Sequence, residues 1–295
     1  DVPGRLARLA VPPPPPDPLT MRRPYAADPV AAVELPRAHP SAPTTVLVVF
    51  DTTRSDRLSA CGYPRPTSPT LERLVAEGAS LSCDAVSAGT WTVPSHASLF
   101  TGASVIEHQT DNARLSREKA QALGGLNIGP SVSLQGQEEV WVTLPLESGF
   151  ETVAESRAKQ GVQTVLVSAN RVIAEPLGLT QGFQQTRYAV GEAIPNGPLF
   201  PGDPVPHVRE ALSELDPTAP LFLYVNFFYA HDPFPAVPSD VGWVPEREPL
   251  IYLPFTPEDP WTRYADGAMG AEEADAFRAH LWDVYDYGVR RNDDG

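Results

Sequence analysis

A chain of 295 residues allows one large domain or two small ones, and its 42% hydrophobic content supports a substantial core without a metal or a disulfide to hold it together. Twenty-two Lys and Arg against thirty-seven Asp and Glu leave a formal net charge of −15. That balance excludes a general polyanion-binding surface, so no nucleic-acid partner is expected, while a phosphate or sulfate can still bind locally at a metal ion or a helix terminus.

The first forty-odd residues differ from the rest. "VPPPPPDP" at residues 11–18, followed by Pro24, Pro29, Pro36, Pro40 and Pro43, favours polyproline II over helix or central strand. Residues 1–43 are therefore expected to form a proline-rich N-terminal extension or wrapping segment, with 44–295 as the folded domain. A first residue of Asp rather than Met is what processing or trimming leaves, and a signal peptide could already have been removed. There is no apolar run of transmembrane length. Cys61 and Cys83 are the only cysteines, and two buried thiols are a simpler reading than a disulfide between them.

In "TTVLVVFDTTRSD", Val46 to Phe50 read as a buried strand with Asp51 at its C-terminal edge, where open α/β sheets place ligand chemistry. Asp51 is thus a candidate metal carboxylate, whereas Asp56 in the following turn fits backbone capping better. "TSPTLERLVAEGA" predicts a helix with Leu71, Leu74 and Val75 on its apolar face and Gly78 at its end, and "SLSCDAVS" a short strand. "GTWTVPSHASLFTG" then predicts a short helix, with Pro94 in its first turn, Gly102 at its terminus and Ala97, Leu99 and Phe100 facing inward. Thr92 at its start is either a cap or a nucleophile. An ordinary threonine needs a metal or a base to attack anything, and the helix N-terminus beside it suits an anion. His96 could orient that hydroxyl or contact an ester oxygen, and Ser95 could cap the turn or bind an oxygen.

Further on, short strands are expected in "LGGLNIGPSVSLQGQEEVWVTLPLESG" and a surface excursion in "YAVGEAIPNGPLFPGDPVP". Helices are expected in "GFETVAESRAKQG" and "VPHVREALSEL", and buried strands in "VQTVLVS" and "LFLYVNFFYAHDPF". The last strand leads into His231 and Asp232. "GAEEADAFRAHLWDVYDYGVRR" is helical, with Phe277, Leu281, Val284 and Val289 on one face and Asp283 and Asp286 read as solvated charges ahead of cleft residues. The alternation implies an α/β fold, with a strand order that periodicity alone does not reveal.

"VLVVFDTTRSDRLSACGYPRPTSPTLERLVAEG" followed by "TWTVPSHASLFTG" resembles the N-terminal catalytic region of sulfatase-like members of the alkaline phosphatase superfamily. The likeness continues through "TVLVSANRVIAEPLGLTQGF", "LFLYVNFFYAHDPF" and "YDYGVRR". It implies a central, mostly parallel sheet flanked by helices, incomplete at the C-terminus. It also implies that Asp51 binds metal and that Thr92 takes the position of the nucleophile of phosphatases or of the formylglycine of sulfatases, where it can also touch the metal. Here "TVPSH" replaces the sulfatase "CxPSR": a threonine does not become formylglycine by the usual route, and His96 replaces the supporting arginine. His231 resembles a family histidine near the substrate oxyanion, with Asp232 orienting it or standing at the rim; a structural histidine between aromatic residues is the other reading. Asn170 falls where some members use a lysine against sulfate and could offer neutral hydrogen bonds, with Arg171 beside it as an anion contact or a solvated surface group.

The resemblance therefore implies metal-dependent hydrolysis of a phosphate ester through Thr92. Sulfate-ester hydrolysis, phosphoryl transfer to an alcohol, and a noncatalytic binding protein with an incomplete site are the alternatives. One or two divalent ions, Zn, Ca, Mg or Mn, are implied, with a phosphorylated or sulfated small molecule or glycan as substrate and an exported or membrane-associated location. The family's Asp-His-Gly metal motif does not follow Asp283 or Asp286. The chain is thus expected to be a fragment, a degenerate member, or a piece completed by a second chain.

Overall fold

The computed structural model describes residues 44–127, 132–134, 137–193, 199–250 and 259–294. The expected N-terminal extension lies outside the described residues. Residues Ala38–Gly295 form one compact unit. In chain order the elements are β1 (Thr45–Phe50), α1 (Pro69–Ala76), α2 (Thr92–Thr101), α3 (Val105–His108), β2 (Asn112–Ser116), α4 (Arg117–Ala122), β3 (Leu126–Asn127), β4 (Val132–Leu134) and β5 (Gln137–Thr143). They continue with α5 (Val153–Lys159), β6 (Gln163–Ser168), β7 (Gln185–Tyr188), β8 (Val190–Ala193), β9 (Leu199–Pro201), α6 (Pro204–Glu214), β10 (Leu221–Phe227), α7 (Pro260–Ala265) and α8 (Ala271–Asp294).

The central sheet runs β1-β10-β6-β7 with every pair parallel, so its strands all end at one edge. Its middle strands are mainly apolar because both faces are covered, as parallel sheets require. On β10, Leu221, Leu223 and Val225 pack toward α6 at Ala211, while Tyr224 packs toward Val93, Ala97 and Phe100 of α2. The strand alternation that sorts these residues carries Asn226 to the α2 side, level with Val49 of β1 and Ser168 of β6. A polar residue in a wholly buried strand thereby arrives at the sheet's C-terminal edge. A smaller antiparallel sheet (β2, β5, β3, with β4 on β5) and the β8-β9 pair are set apart from this core.

Helix α8 clamps that edge. Tyr285 donates its hydroxyl to the Thr52 carbonyl (2.7 Å) and accepts the Arg54 N–H (3.0 Å). The Asn292 carboxamide accepts the Tyr229 N–H (3.0 Å), and the Asp293 carboxylate accepts the Thr70 and Leu71 N–H groups at 2.6 and 3.0 Å, satisfying the first turn of α1. Gly288 is required here: a Cβ at that position would lie 2.1 Å from the Tyr229 carbonyl oxygen.

Several expectations are corrected. "SLSCDAVS" is an irregular segment rather than a strand, and Cys83 within it forms a disulfide with Cys61, so the cysteines are not free thiols. Leu99 is exposed although Ala97 and Phe100 are buried: it stands on the one strip of α2 that faces solvent, the rest of the helix being covered. Leu74 and Val75 of α1 are likewise exposed. Asp283 and Asp286 are buried, not solvated. Asp283 pairs with Arg65 (2.8 Å) and Arg247 (2.7 Å), and Asp286 with Arg65 (2.8 Å), Arg57 (3.5 Å) and the Tyr63 hydroxyl (2.6 Å). Arg57 stacks on Trp282, its guanidinium carbon 3.5 Å from the ring centroid. Burial pushes the Asp286 carboxyl upward, opposed by Tyr63 and the two guanidiniums.

Candidate active site

Two turns and one helix meet at the sheet's C-terminal edge. Asp51 follows β1 directly, its N–H donating to the Phe227 carbonyl at 2.9 Å, which extends the β1-β10 ladder by one bond and points the residue into the edge. Thr52 holds the bend at φ 55°, a left-handed conformation unusual for a β-branched residue. Its hydroxyl lies 2.7 Å from both the Asp51 and the Ala230 carbonyls, which ties the turn after β1 to the turn after β10.

Thr92 is the first residue of α2, and Trp91 is the cap position, which makes no side-chain cap bond. The Thr92 hydroxyl is therefore not spent on capping. It accepts the Asn170 amide N–H at 2.9 Å, and the same nitrogen donates to Asp51 Oδ2 at 2.8 Å. Asp51, Asn170 and Thr92, drawn from three separate segments, thus converge on one amide group. The amide cannot turn over freely: the Val172 N–H donates to Asn170 Oδ1 (2.9 Å), and a flip would set donor against donor. Ser168 accepts the Asn170 N–H at 3.0 Å, and Asn226 reaches Asp51 Oδ2 at 3.4 Å.

His96 stands elsewhere than the sequence suggests. Its Nδ1 lies 2.8 Å from the Thr92 carbonyl, so this nitrogen carries the proton, and Nε2 accepts the Tyr224 hydroxyl at 2.7 Å. The ring packs edge-on against Phe100 and Tyr224, and burial holds its basicity below the usual histidine range. Both nitrogens are engaged away from the Thr92 hydroxyl, so His96 braces the first turn of α2 as a neutral group. Ser95 is also occupied: it donates to the Gly89 carbonyl (2.9 Å) and contacts Ser87 (3.0 Å), closing the loop before α2. Arg171 is exposed and lines a separate cleft with Glu175, Gln181 and Tyr188. His231 stacks on Phe228 with centroids 4.0 Å apart, and its Nδ1 meets the Asp232 carbonyl at 2.5 Å. His231 and Asp232 both line a cavity that begins at Thr52.

Sequence reasoning passed over Tyr224, Asn226 and Thr52. The signal for the first two was present in "LFLYVNF", where polar groups interrupt a strand buried on both faces and must find partners there.

Asp51 and Thr92 offer two hard oxygens of the kind a divalent ion takes. Asn170 already directs N–H groups at both, and among the described residues no three His, Cys, Asp or Glu side chains converge on one point. The described residues fit part of a metal shell and not a whole one.

A parallel sheet with a hydroxyl at a helix start beside a carboxylate at its strand ends is the α/β arrangement that places ligand-facing groups at the carboxyl edge. The Sulfatase family model matches residues 43–186, from just before β1 into β7, so the likeness in the two N-terminal motifs is a family match over that segment. No curated protein is similar enough to count as a relative. Among solved structures, the C-terminal periplasmic domain of EcEptC from Escherichia coli, in complex with Zn, is 16% identical, with 85% of this chain and 57% of that chain covered at a TM-score of 0.49. A putative sulfatase from Bacteroides thetaiotaomicron is 18% identical, covering 85% and 53% at 0.48. The C-terminal periplasmic domain of phosphoethanolamine transferase EptC from Campylobacter jejuni is 14% identical, covering 86% and 63% at 0.45. The chain spans less than two thirds of each of these solved chains.

Proposed function

We propose that this chain carries the nucleophile-bearing part of a metal-dependent phosphate-ester hydrolase, with Thr92 as the attacking residue. The observation that carries the reading is the single Asn170 amide shared by the Asp51 carboxylate and the Thr92 hydroxyl. Because Thr92 Oγ1 accepts from Asn170, its own proton is free to leave and a lone pair is fixed in direction. The first-turn N–H groups of α2 have no partner within the helix, and Pro94 brings none, so the helix start favours an anion such as a phosphoryl group. A divalent ion (Zn, Ca, Mg or Mn), held by Asp51 and Thr92 with donors from outside the described residues or from a second chain, would supply the positive charge that favours alkoxide character. Asp51 and Asn170 position the hydroxyl, His96 and Tyr224 brace the turn beneath it, and His231 stands by the cavity that would hold the rest of the ester. The Oγ1–P bond forms as the ester oxygen departs and takes up a proton. Water then cleaves the phosphothreonine and returns the hydroxyl.

A noncatalytic binding role is supported by one specific observation, the lack of three converging metal ligands among the described residues. The disulfide supports an exported location, since such bonds persist in oxidising compartments. No described helix is long and apolar enough to cross a membrane.

The test is phosphate release from an ester panel by metal-loaded protein, with mass spectrometry of the Thr92 peptide. Release together with a phosphorylated Thr92 supports the hydrolase. Release with sulfate esters alone, or transfer to an added alcohol without free phosphate, replaces it by the corresponding activity. Neither product nor adduct under any metal leaves the binding role.

A further inference from the structure

The central sheet has two edges, and they are finished differently. At the β7 edge, Arg187 stands in the strand and pairs with Glu210 (2.9 Å) and Glu214 (2.5 Å) of α6. Charge on an edge strand discourages a further strand from pairing there. At the β1 edge, Thr45–Phe50 carry no charge, proline or glycine, and they keep one register with β10 from end to end. Asp51 donates its N–H to the Phe227 carbonyl, so alternation along the strand turns the backbone groups of Leu47 and Val49 toward β10 and those of Val46 and Val48 outward. No other strand pairs with β1 among the described residues. The side chains repeat this division. Leu47 and Val49 pack against the α2 core, while Val46 and Val48 are 53% and 46% exposed on the opposite face, where α6 lies over β10, β6 and β7.

We propose that β1 is the contact through which two copies of this chain pair, antiparallel about a twofold axis at Val48, joining two four-stranded sheets into one. A twofold contact must be self-complementary, and this register is. Val48 meets Val48 of the second copy and Val46 meets Phe50, so outward-turned N–H and C=O groups face one another and the exposed valines close on apolar neighbours. The Phe50 carbonyl already accepts the Thr53 N–H at 3.3 Å and keeps a second lone pair for the partner strand. On the other face Leu47 meets Val49. A slip of one residue would set outward backbone groups against inward ones and mix the two faces. The net charge of −15 does not oppose the contact locally, because the strand is neutral. The two Asp51 carboxylates lie about 20 Å apart along the joined strands, beyond the screening length at physiological salt. Each stays at its own carboxyl edge, so pairing leaves both candidate sites open. One short strand per copy makes a small contact, and a weak dimer follows.

Sedimentation of the full chain between about 1 and 100 µM is expected to show a weight-average mass rising toward twice that of one chain. Val48→Lys sets two ammonium groups against each other at the twofold axis and is expected to weaken association at least about tenfold, whereas Val48→Thr keeps it. Val48→Cys is expected to form a disulfide between copies on treatment with oxidised glutathione, since paired Cα atoms in this register lie about 5.5 Å apart. Val46→Cys is not, because the two substituted positions stand about 13 Å apart along the strands. The cross-link reads the contact in a folded chain even where Val48→Lys lowers stability, and none of these readouts depends on chemistry at Thr92. A wild type that stays a single chain across the whole range overturns the proposal. Association that Val48→Lys leaves unchanged, or a Val46→Cys chain that cross-links as readily as Val48→Cys, overturns it as well.

Discussion

The buried carboxylates Asp283 and Asp286 on α8 and Asp51 at the sheet edge are treated in opposite ways. On α8, Asp283 and Asp286 are matched by Arg57, Arg65 and Arg247, with the Tyr63 hydroxyl added. At the sheet edge, Asp51 receives only neutral amide N–H groups, from Asn170 at 2.8 Å and Asn226 at 3.4 Å. Guanidiniums neutralise a carboxylate and fix its surroundings, which suits a clamp; amides orient a carboxylate and leave its charge uncancelled, which suits a site that must meet a cation or a developing charge. The first arrangement is that of a support, and the second suits the chemistry proposed for Thr92.

That contrast can be broken from either side. Thr92→Ala is expected to lower ester turnover by about a thousandfold or more while leaving thermal stability nearly unchanged, since the loss of a nucleophile removes a step rather than a support. Steady-state rates beside a melting curve check it, and Thr92→Ser should retain part of the rate. Asp286→Ala is expected to do the reverse: about 3 kcal/mol of stability is lost because guanidiniums are left beside a buried gap, with any active fraction retaining its Thr92 chemistry. Denaturant titration gives the first quantity and active-site counting the second. Reduction of Cys61–Cys83, whose partners are 22 residues apart, is expected to cost about 3 kcal/mol through the freed chain, read as a drop in the denaturant midpoint on adding reductant.

Asn170→Ala tests the boundary between the two treatments, because this residue both orients Thr92 and satisfies a buried carboxylate. A stability loss of about 1–3 kcal/mol is expected together with a fall in turnover. A fall in stability alone would place Asn170 with the supports. The smallest effect concerns His108, whose Nδ1 accepts the Thr110 N–H at 3.0 Å and whose Nε2 meets the Ser98 hydroxyl at 2.9 Å. Burial holds this imidazole below the usual range, against weaker pulls from Asp111 and Glu107. The unfolded chain then takes the proton more readily than the folded one, so stability is full above about pH 6.5 and declines as pH falls below it. In melting curves across that window, His108→Asn should have a lower plateau and a shallower acid slope.

Much of this was legible locally. β6 and β10 announce themselves as buried apolar runs; β1 reads as a strand too, but not as a buried one, since Val46 and Val48 are exposed on this edge strand. Asp51 and Thr92 stand at element ends that a strand period and a proline reveal. What the residues could not disclose is pairing across distance. His96 looks like a catalytic neighbour of Thr92 because four helical residues separate them, yet the hydroxyl that satisfies it belongs to Tyr224 on the middle of the sheet. Asp283 and Asp286 look solvated because helical periodicity sorts faces without saying what covers them, and the arginines that cover them come from irregular segments. "SLSCDAVS" has the composition of a strand, but strands need a neighbour, and Cys83 is tethered to Cys61 away from the sheet.

Gly288 acquires a further meaning from its place against the Tyr229 carbonyl, where an added Cβ would come within 2.1 Å. That carbonyl belongs to the turn that presents His231, so the glycine acts as a depth stop between the long helix and the mouth of the cleft. A single methyl at this stop would work as a wedge, tilting the His231 turn from behind without altering any residue that faces the cavity. The geometry of the cleft can thus be adjusted remotely, through a position with no side chain at all.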